Sequence, residues 1–284
     1  MALLREFFSN LLFLALHGFE DMIMAANNLL TAPLDSWGAV LNIATTVISP
    51  FALLIIGICL LIEIAQVASK VDLMKWEYGI KLGFKMAVSV AMLNILPTFL
   101  AACYYQAVAW INGVADLGPV GGMGSMFHDD LRSMIDGVSG FWTVFGLFAT
   151  TNILVLAIHI CGLLVLAIAF GRMFEIYVYL AISPLPAAFF PLGDGTGGGF
   201  SRITMKFLRS FAAVCLQGVM MMICMRLFSI LIRDVLDDAI YASMANGGPG
   251  AVIQVIFMFL MGSIALVMGV VKSGSWAKSI LDAV

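Results

Sequence analysis

Long apolar runs alternate with short polar breaks along this chain, and a helix that crosses a membrane needs about 20 predominantly apolar residues. Five runs qualify: Ala39–Ala68, Phe84–Ile111, Phe141–Phe170, Phe207–Leu231 and Ala251–Val271. Most exceed the minimum, which predicts tilt or protrusion into the headgroups. Ahead of them, Leu4, Phe8, Leu11, Leu12, Ala15, Phe19, Met22 and Ile23 fall at helical spacing, while Arg5, Glu20 and Asp21 are left to face water. That pattern predicts an amphipathic helix over residues 1–38 lying on the outer face of the membrane. Glu20–Asp21 and Asn27–Asn28 leave it too short to be a span. The five-span domain then occupies residues 39–284.

The stretch from Gly171 to Met222 departs from the simple alternation. An apolar run closes on Arg172 and Glu175, and a second is broken by Pro184, Pro186 and Pro191. A glycine-rich loop follows, and then Arg202, Lys206 and Arg209 lead into the next apolar run. Prolines inside so short a segment argue against a straight span.

Charge decides how this stretch is threaded. Lys70, Lys75, Lys81 and Lys85 lie between the first two spans, Arg172, Arg202, Lys206 and Arg209 after the third, and Lys272 and Lys278 at the end. These make ten of the fourteen cations. The alternate segments carry only Arg5, Arg132 and Arg233 against eleven carboxylates. Cations concentrate on the cytoplasmic side, so the pattern predicts five crossings, with the N-terminus outside and the C-terminus in the cytoplasm. A complete crossing by 173–191 would place Arg202, Lys206 and Arg209 outside. The segment is therefore read as a proline-broken, cytoplasm-facing re-entrant element. The expected fold is an all-α polytopic membrane protein.

Composition agrees. Hydrophobic residues make up 62% of the 284 and charged residues 11%, too apolar and too weakly charged for a soluble domain of this length. A net charge of −3 gives no reason to expect nucleic-acid binding. All five cysteines sit in apolar runs without a C-x-x-C pair, so they read as small buried hydrophobes. The nineteen methionines are scattered among Leu, Ile and Phe and read as adaptable packing. No cationic n-region precedes the first apolar run, so no cleavable signal peptide is expected.

Chemistry has few footholds. Gly193–Gly198 satisfies G-x-G-x-x-G but follows a membrane segment instead of a β-strand, so it reads as a hinge. His128, Asp129 and Asp130 read as a solvated charge cluster, and His159 as a histidine bonded to a neighbouring helix. No catalytic, cofactor or metal site is expected. Ionisable groups at membrane depth carry more weight, because they are costly there and usually face a bundle interior or water. Asn42, Ser49, Glu63 and Lys70 repeat at seven-residue steps, with Thr46 and Gln66 nearby. Glu63 therefore reads either as the partner of a lysine or as part of a polar seam facing a lumen or another subunit. Arg172 and Glu175 are spaced to pair with each other. Arg226 calls for a carboxylate, for which Asp234 and Asp237 are placed. Gly79 and Gly83, Gly146 and Thr150, and Ser263 and Gly269 are small positions suited to close helix approach.

The run ISPLPAAFFPLGDGTGGGFSRITMKFLRSFAAVCLQGVMMM resembles the TrbL-like family of polytopic inner-membrane proteins of conjugative type IV secretion systems. The matching positions are Arg172, Ser183, Pro184, Pro186, Lys206, Phe207, Ser210 and Gln217. The resemblance implies a non-enzymatic channel or scaffold subunit embedded in membrane lipid, which helps pass a DNA–protein substrate across the cytoplasmic membrane. It also implies a ring-like homo-oligomer of about five copies, pilus or channel subunits as partners, and energy from separate cytoplasmic ATPases. The site candidates are then Glu63, Arg172, Glu175, Pro184, Pro186 and Arg226, with Lys70, Lys75, Lys81, Lys85, Arg202, Lys206 and Arg209 as a cytoplasmic basic surface. The rival reading is a small-solute or ion transporter or channel. It would call for an internal inverted repeat, which the sequence lacks.

Overall fold

A computed structural model describes residues 2–31, 37–69, 76–117, 132–133, 135, 140–189, 202–246 and 249–282. All regular structure among them is helical. Lipid offers no hydrogen-bond partners, so each backbone N–H and C=O must be satisfied within its own segment, and a helix does this. Six stretches are long and apolar enough to cross a membrane: Glu6–Thr31, Gly38–Ala65, Leu82–Ala115, Phe141–Ala188, Arg202–Leu236 and Gly250–Leu281. Phe84, Ile153 and Phe170 are each more than 60% exposed. So many large exposed apolar side chains suit a lipid solvent and would make a water-soluble chain aggregate. The expected all-α polytopic membrane architecture is the observed one.

The helices are α1 (Ala2–Thr31), α2 (Trp37–Asn42), α3 (Ser49–Ser69), α4 (Trp76–Ala115), α5 (Phe141–Ile182), α6 (Pro184–Ala188), α7 (Arg202–Asn246) and α8 (Pro249–Asp282). A π-helical stretch, Ile43–Ile48, joins α2 to α3. Its wider turn breaks the α-helical register between Asn42 and Ser49. The seven-residue repeat from Asn42 onward therefore does not lie on one continuous face. The hydroxyls of Thr45 and Thr46 turn back to the carbonyls of Leu41 and Asn42, which satisfies them inside their own helix.

Helix α5 runs unbroken for 42 residues, about 63 Å at 1.5 Å per residue against about 30 Å of hydrocarbon. Met173–Ile182 therefore extend the third apolar run, and the proline-broken element expected over 173–191 is confined, among the described residues, to Ser183–Phe189. The break has a local cause. Pro184 and Pro186 offer no N–H to the last carbonyls of α5. The Ser183 hydroxyl takes over one of them, donating to the Leu180 oxygen at 2.8 Å.

The chain forms two compact units. One consists of Met1–Thr31, Ala109–Arg172 and Gln217–Trp276. Here α1 buries Phe8, Leu12, Leu16, Phe19, Ile23, Ala26 and Leu30 at alternating three- and four-residue steps, the stripe of a bundle helix. Phe8 meets Phe148 edge-on at 5.9 Å. Gly18 lies against His159, and Gly162 against Phe19 and Met22. Contacts that rise together along both helices mean that α1 and α5 run side by side in the same direction. Phe19 packs edge-on to Phe228 and Phe259. Glu20, expected to face water, is only 3% exposed. It lies on the buried stripe of α1, beside Phe19 and Ile23, with its carboxylate 3.6 Å from His17 Nδ1. Helices α7 and α8 are antiparallel in this unit, with Gly262 against Phe228 and Ile232, Gly269 against Cys224, and Gly274 against Gln217.

The other unit consists of Ala32–Val108, Met173–Leu216 and Ala277–Val284. Ala52 and Ile56 of α3, Leu93, Leu96, Leu100 and Tyr104 of α4, and Met173, Ile176 and Leu180 of α5 form its core. Helix α6 packs on α3 and on the π-helical stretch. The Tyr179 ring sits 5.4 Å from Phe207 and 6.0 Å from Phe211, which fastens the end of α5 to the start of α7.

Candidate functional site

The functional features gather where α5 ends and α7 begins. Pro184, Pro186, Ala187 and Ala188 are buried, so α6 is a core element of its unit. The Pro186 carbonyl accepts the Phe189 N–H at 3.3 Å, and buried Thr204 adds a second donor, its hydroxyl, at 2.8 Å. This bond ties α6 to the first turn of α7 across the glycine-rich segment. Residues 193–198 of that segment lie outside the described residues.

Beyond Thr204, Arg202, Lys206 and Arg209 follow at steps of four and three, which puts all three on one face of α7. They line a cleft of about 620 Å³ together with Glu175 and Tyr179 of α5 and Lys278 and Leu281 of α8. Met205, Ala213 and Val214 form its apolar part. Four cations thus face one carboxylate. Among the described residues none of the four cations forms an ion pair, and each is exposed. Arg202 also stands at the positive end of the α7 dipole, where a cation is disfavoured. The arrangement can hold an anion.

Glu63 is placed differently. It forms an ion pair with Lys85 of α4, the two side chains being 22% and 30% exposed. A carboxylate and an ammonium at membrane depth neutralise each other in this way, which is the lysine-partner reading of Glu63. Arg172 and Glu175 are both half-buried on α5, one turn apart. Arg226 is half-buried in α7 and belongs to the other unit, where Asp234 is exposed. The side chains of Lys70, Lys75, Lys81, Gln66 and Asp237 lie outside the described residues, as do His128, Asp129 and Asp130.

Two residues of this region carry no signal in the sequence. Lys278 is nearly seventy positions from Arg209, and only the return of α8 brings it to the cleft. Thr204 reads as an ordinary helix residue until its hydroxyl is seen to reach Pro186. Gln217, one of the positions carrying the resemblance, is buried against Gly274, where an added Cβ would lie 2.7 Å from its Oε1. It therefore sits at a close approach of α7 and α8 in its unit. His159, expected to bond to another helix, instead has Nδ1 at 2.9 Å from the Val155 carbonyl of its own helix. Its Nε2 edge faces Gly18, where an added Cβ would lie 3.0 Å away. All five cysteines are free, and no group of His, Cys, Asp and Glu suited to a metal occurs among the described residues.

Neither the curated proteins nor the solved structures contain a match to this chain. A family model described as "TrbL/VirB6 plasmid conjugal transfer like protein" matches residues 21–184. The match includes Glu63, Lys85, Arg172, Glu175 and Pro184 and stops before the basic entry to α7. It covers more than half of the 284 residues, and the chain belongs to the TrbL/VirB6 family of plasmid conjugal transfer-like proteins.

Proposed function

We propose that the protein is a non-enzymatic channel or scaffold subunit of a conjugative type IV secretion system. It would sit in the cytoplasmic membrane and help a DNA–protein substrate to cross. The observation that carries this reading is the family match over the segment that holds three of the long apolar helices and the start of α6. In this reading, copies assemble into a ring of about five, beside pilus or channel subunits, and cytoplasmic ATPases supply the energy.

The proposed topology has five crossings, with the N-terminus outside and the C-terminus in the cytoplasm. The direction of α1 supports this count. If all six apolar stretches were separate single crossings, the first and the fourth would run in opposite directions. Instead α1 runs parallel to α5, in contact from Phe8 to Met22. In the five-crossing reading, one of α1, the α2–α3 stretch and α4 falls short of a crossing of its own. Five crossings also keep the ten cations on one side.

The test is mating efficiency from a donor whose copy of this gene is deleted. Transfer is expected to be lost and to return with the wild-type chain. Arg172→Ala and Pro184→Ala are expected to restore it only in part while still accumulating in the membrane. Wild-type transfer from the deletion strain sinks the proposal.

A further inference from the structure

We propose that the cleft between the ends of α5 and α8 and the start of α7 binds the headgroup phosphate of an anionic phospholipid. Charge is the first argument. Arg202, Lys206, Arg209 and Lys278 converge on one cleft against the single carboxylate of Glu175. The four like charges repel one another, the positive end of the α7 dipole repels Arg202, and a bound phosphate relieves both. Arginine contributes a planar fork that donates to phosphate oxygens in pairs, and lysine a mobile point charge.

The second argument separates a lipid from other anions. Met205, Ala213, Val214 and Leu281 line the same cleft, and Ile203 beside it is exposed. A soluble anion or an acidic peptide has no use for apolar surface joined to the cations, whereas a phospholipid has a charged head and apolar chains to match. The third argument is setting. The cleft is built from ends of helices that are long and apolar enough to span a membrane, and basic pockets between such helices on the cytoplasmic side are where anionic headgroups bind. Its size, about 620 Å³, is that of a small-molecule site. This inference rests on the membrane setting and not on the secretion role, so the two fail separately.

Native mass spectrometry of the delipidated full chain in dodecyl maltoside tests it. The probes are dioleoylphosphatidylglycerol, dioleoylphosphatidylcholine and inorganic phosphate. Phosphatidylglycerol is expected to bind saturably and phosphatidylcholine only weakly. The double variant Lys206→Gln/Arg209→Gln is expected to weaken phosphatidylglycerol about thirtyfold, each cation near a headgroup being worth about five- to sixfold. Lys272→Gln, outside the cleft, is expected to change nothing. Glu175→Gln removes the one lining carboxylate among the described residues and is expected to tighten binding, which keeps the test open if the double variant does not fold. Equal retention of the two lipids, an unaffected double variant, or an equal loss with Lys272→Gln overturns the proposal. So does complete displacement by millimolar inorganic phosphate, which would reassign the cleft to a free anion.

Discussion

The two compact units draw on the same four helices, α4, α5, α7 and α8, yet they are packed by different chemistry. In the unit containing α1, glycines sit at the contacts: Gly18 against His159, Gly162 against Phe19 and Met22, and Gly262 against Phe228 and Ile232. Phe19, Phe228 and Phe259 interlock behind them. The segments of this unit hold six basic residues and ten acidic ones. In the unit containing α3, prolines and a buried hydroxyl set the geometry, an ion pair joins α3 to α4, and basic residues line an open cleft. Its segments hold eight basic residues and seven acidic ones. One region is built to close and the other to stay available. Apolar composition alone, similar in both, does not tell them apart.

The difference breaks most sharply at Gly162. An added Cβ there would sit 2.8 Å from Met22 Sδ and 3.0 Å from Phe19 Cδ2. The methionine can move, but the Phe19 ring is held by two other rings and is fully buried. Gly162→Ala is expected to cost about 1–3 kcal/mol and Gly162→Leu more, as overpacking does. Thermal unfolding of the purified chain would check the order. Equal stability across Gly, Ala and Leu would show that α1 does not pack closely on α5.

The second break lies in the other unit. Lys85→Met leaves the Glu63 carboxylate without its cation in a site less than a third exposed. Removing one partner of a buried pair costs about 3–5 kcal/mol, and partial exposure brings the expected loss to about 2 kcal/mol. Adding Glu63→Gln should recover most of it, because the uncompensated charge is then gone. If the double variant stays as unstable as the single, the pair is not what holds α3 to α4.

Part of this was legible beforehand. The five apolar runs all reappear inside the continuous α2–α3 stretch, α4, α5, α7 and α8, because lipid demands long helices of long apolar stretches whatever their neighbours are. Arg202, Lys206 and Arg209 could be placed on one face by spacing alone. Glu20 could not be placed, since a carboxylate in an amphipathic pattern faces water only if the opposite face is the one packed against the protein. The length of α5 was hidden for a related reason. Arg172 and Glu175 read as the end of a span, whereas a helix outlasting the hydrocarbon carries its charged turn through without stopping. The family resemblance was read mainly from residues 182–222, while the family match covers 21–184. The two overlap only at Ile182–Pro184, with Arg172 the one further shared position, so they support the same family from nearly separate evidence.

The smallest effect expected is also the most discriminating. Gly79, Gly83 and Gly146 share the small-residue spacing that suggests close helix approach, yet among the described residues no neighbouring element lies within 4 Å of a Cβ added at any of them. Ile80 and Phe84 on α4 and Phe145 on α5, their sequence neighbours, are exposed as well. Alanine at these positions meets no clash and restricts the unfolded chain, so each substitution should raise stability by about 0.5–1 kcal/mol. That is the opposite sign from Gly162→Ala. A loss of stability at any of the three would mean that α4 or α5 packs more tightly within the chain than its open glycines show. If stability rises but mating efficiency falls, these faces meet a second chain, and the closed glycines build the subunit while the open ones join it to its neighbours.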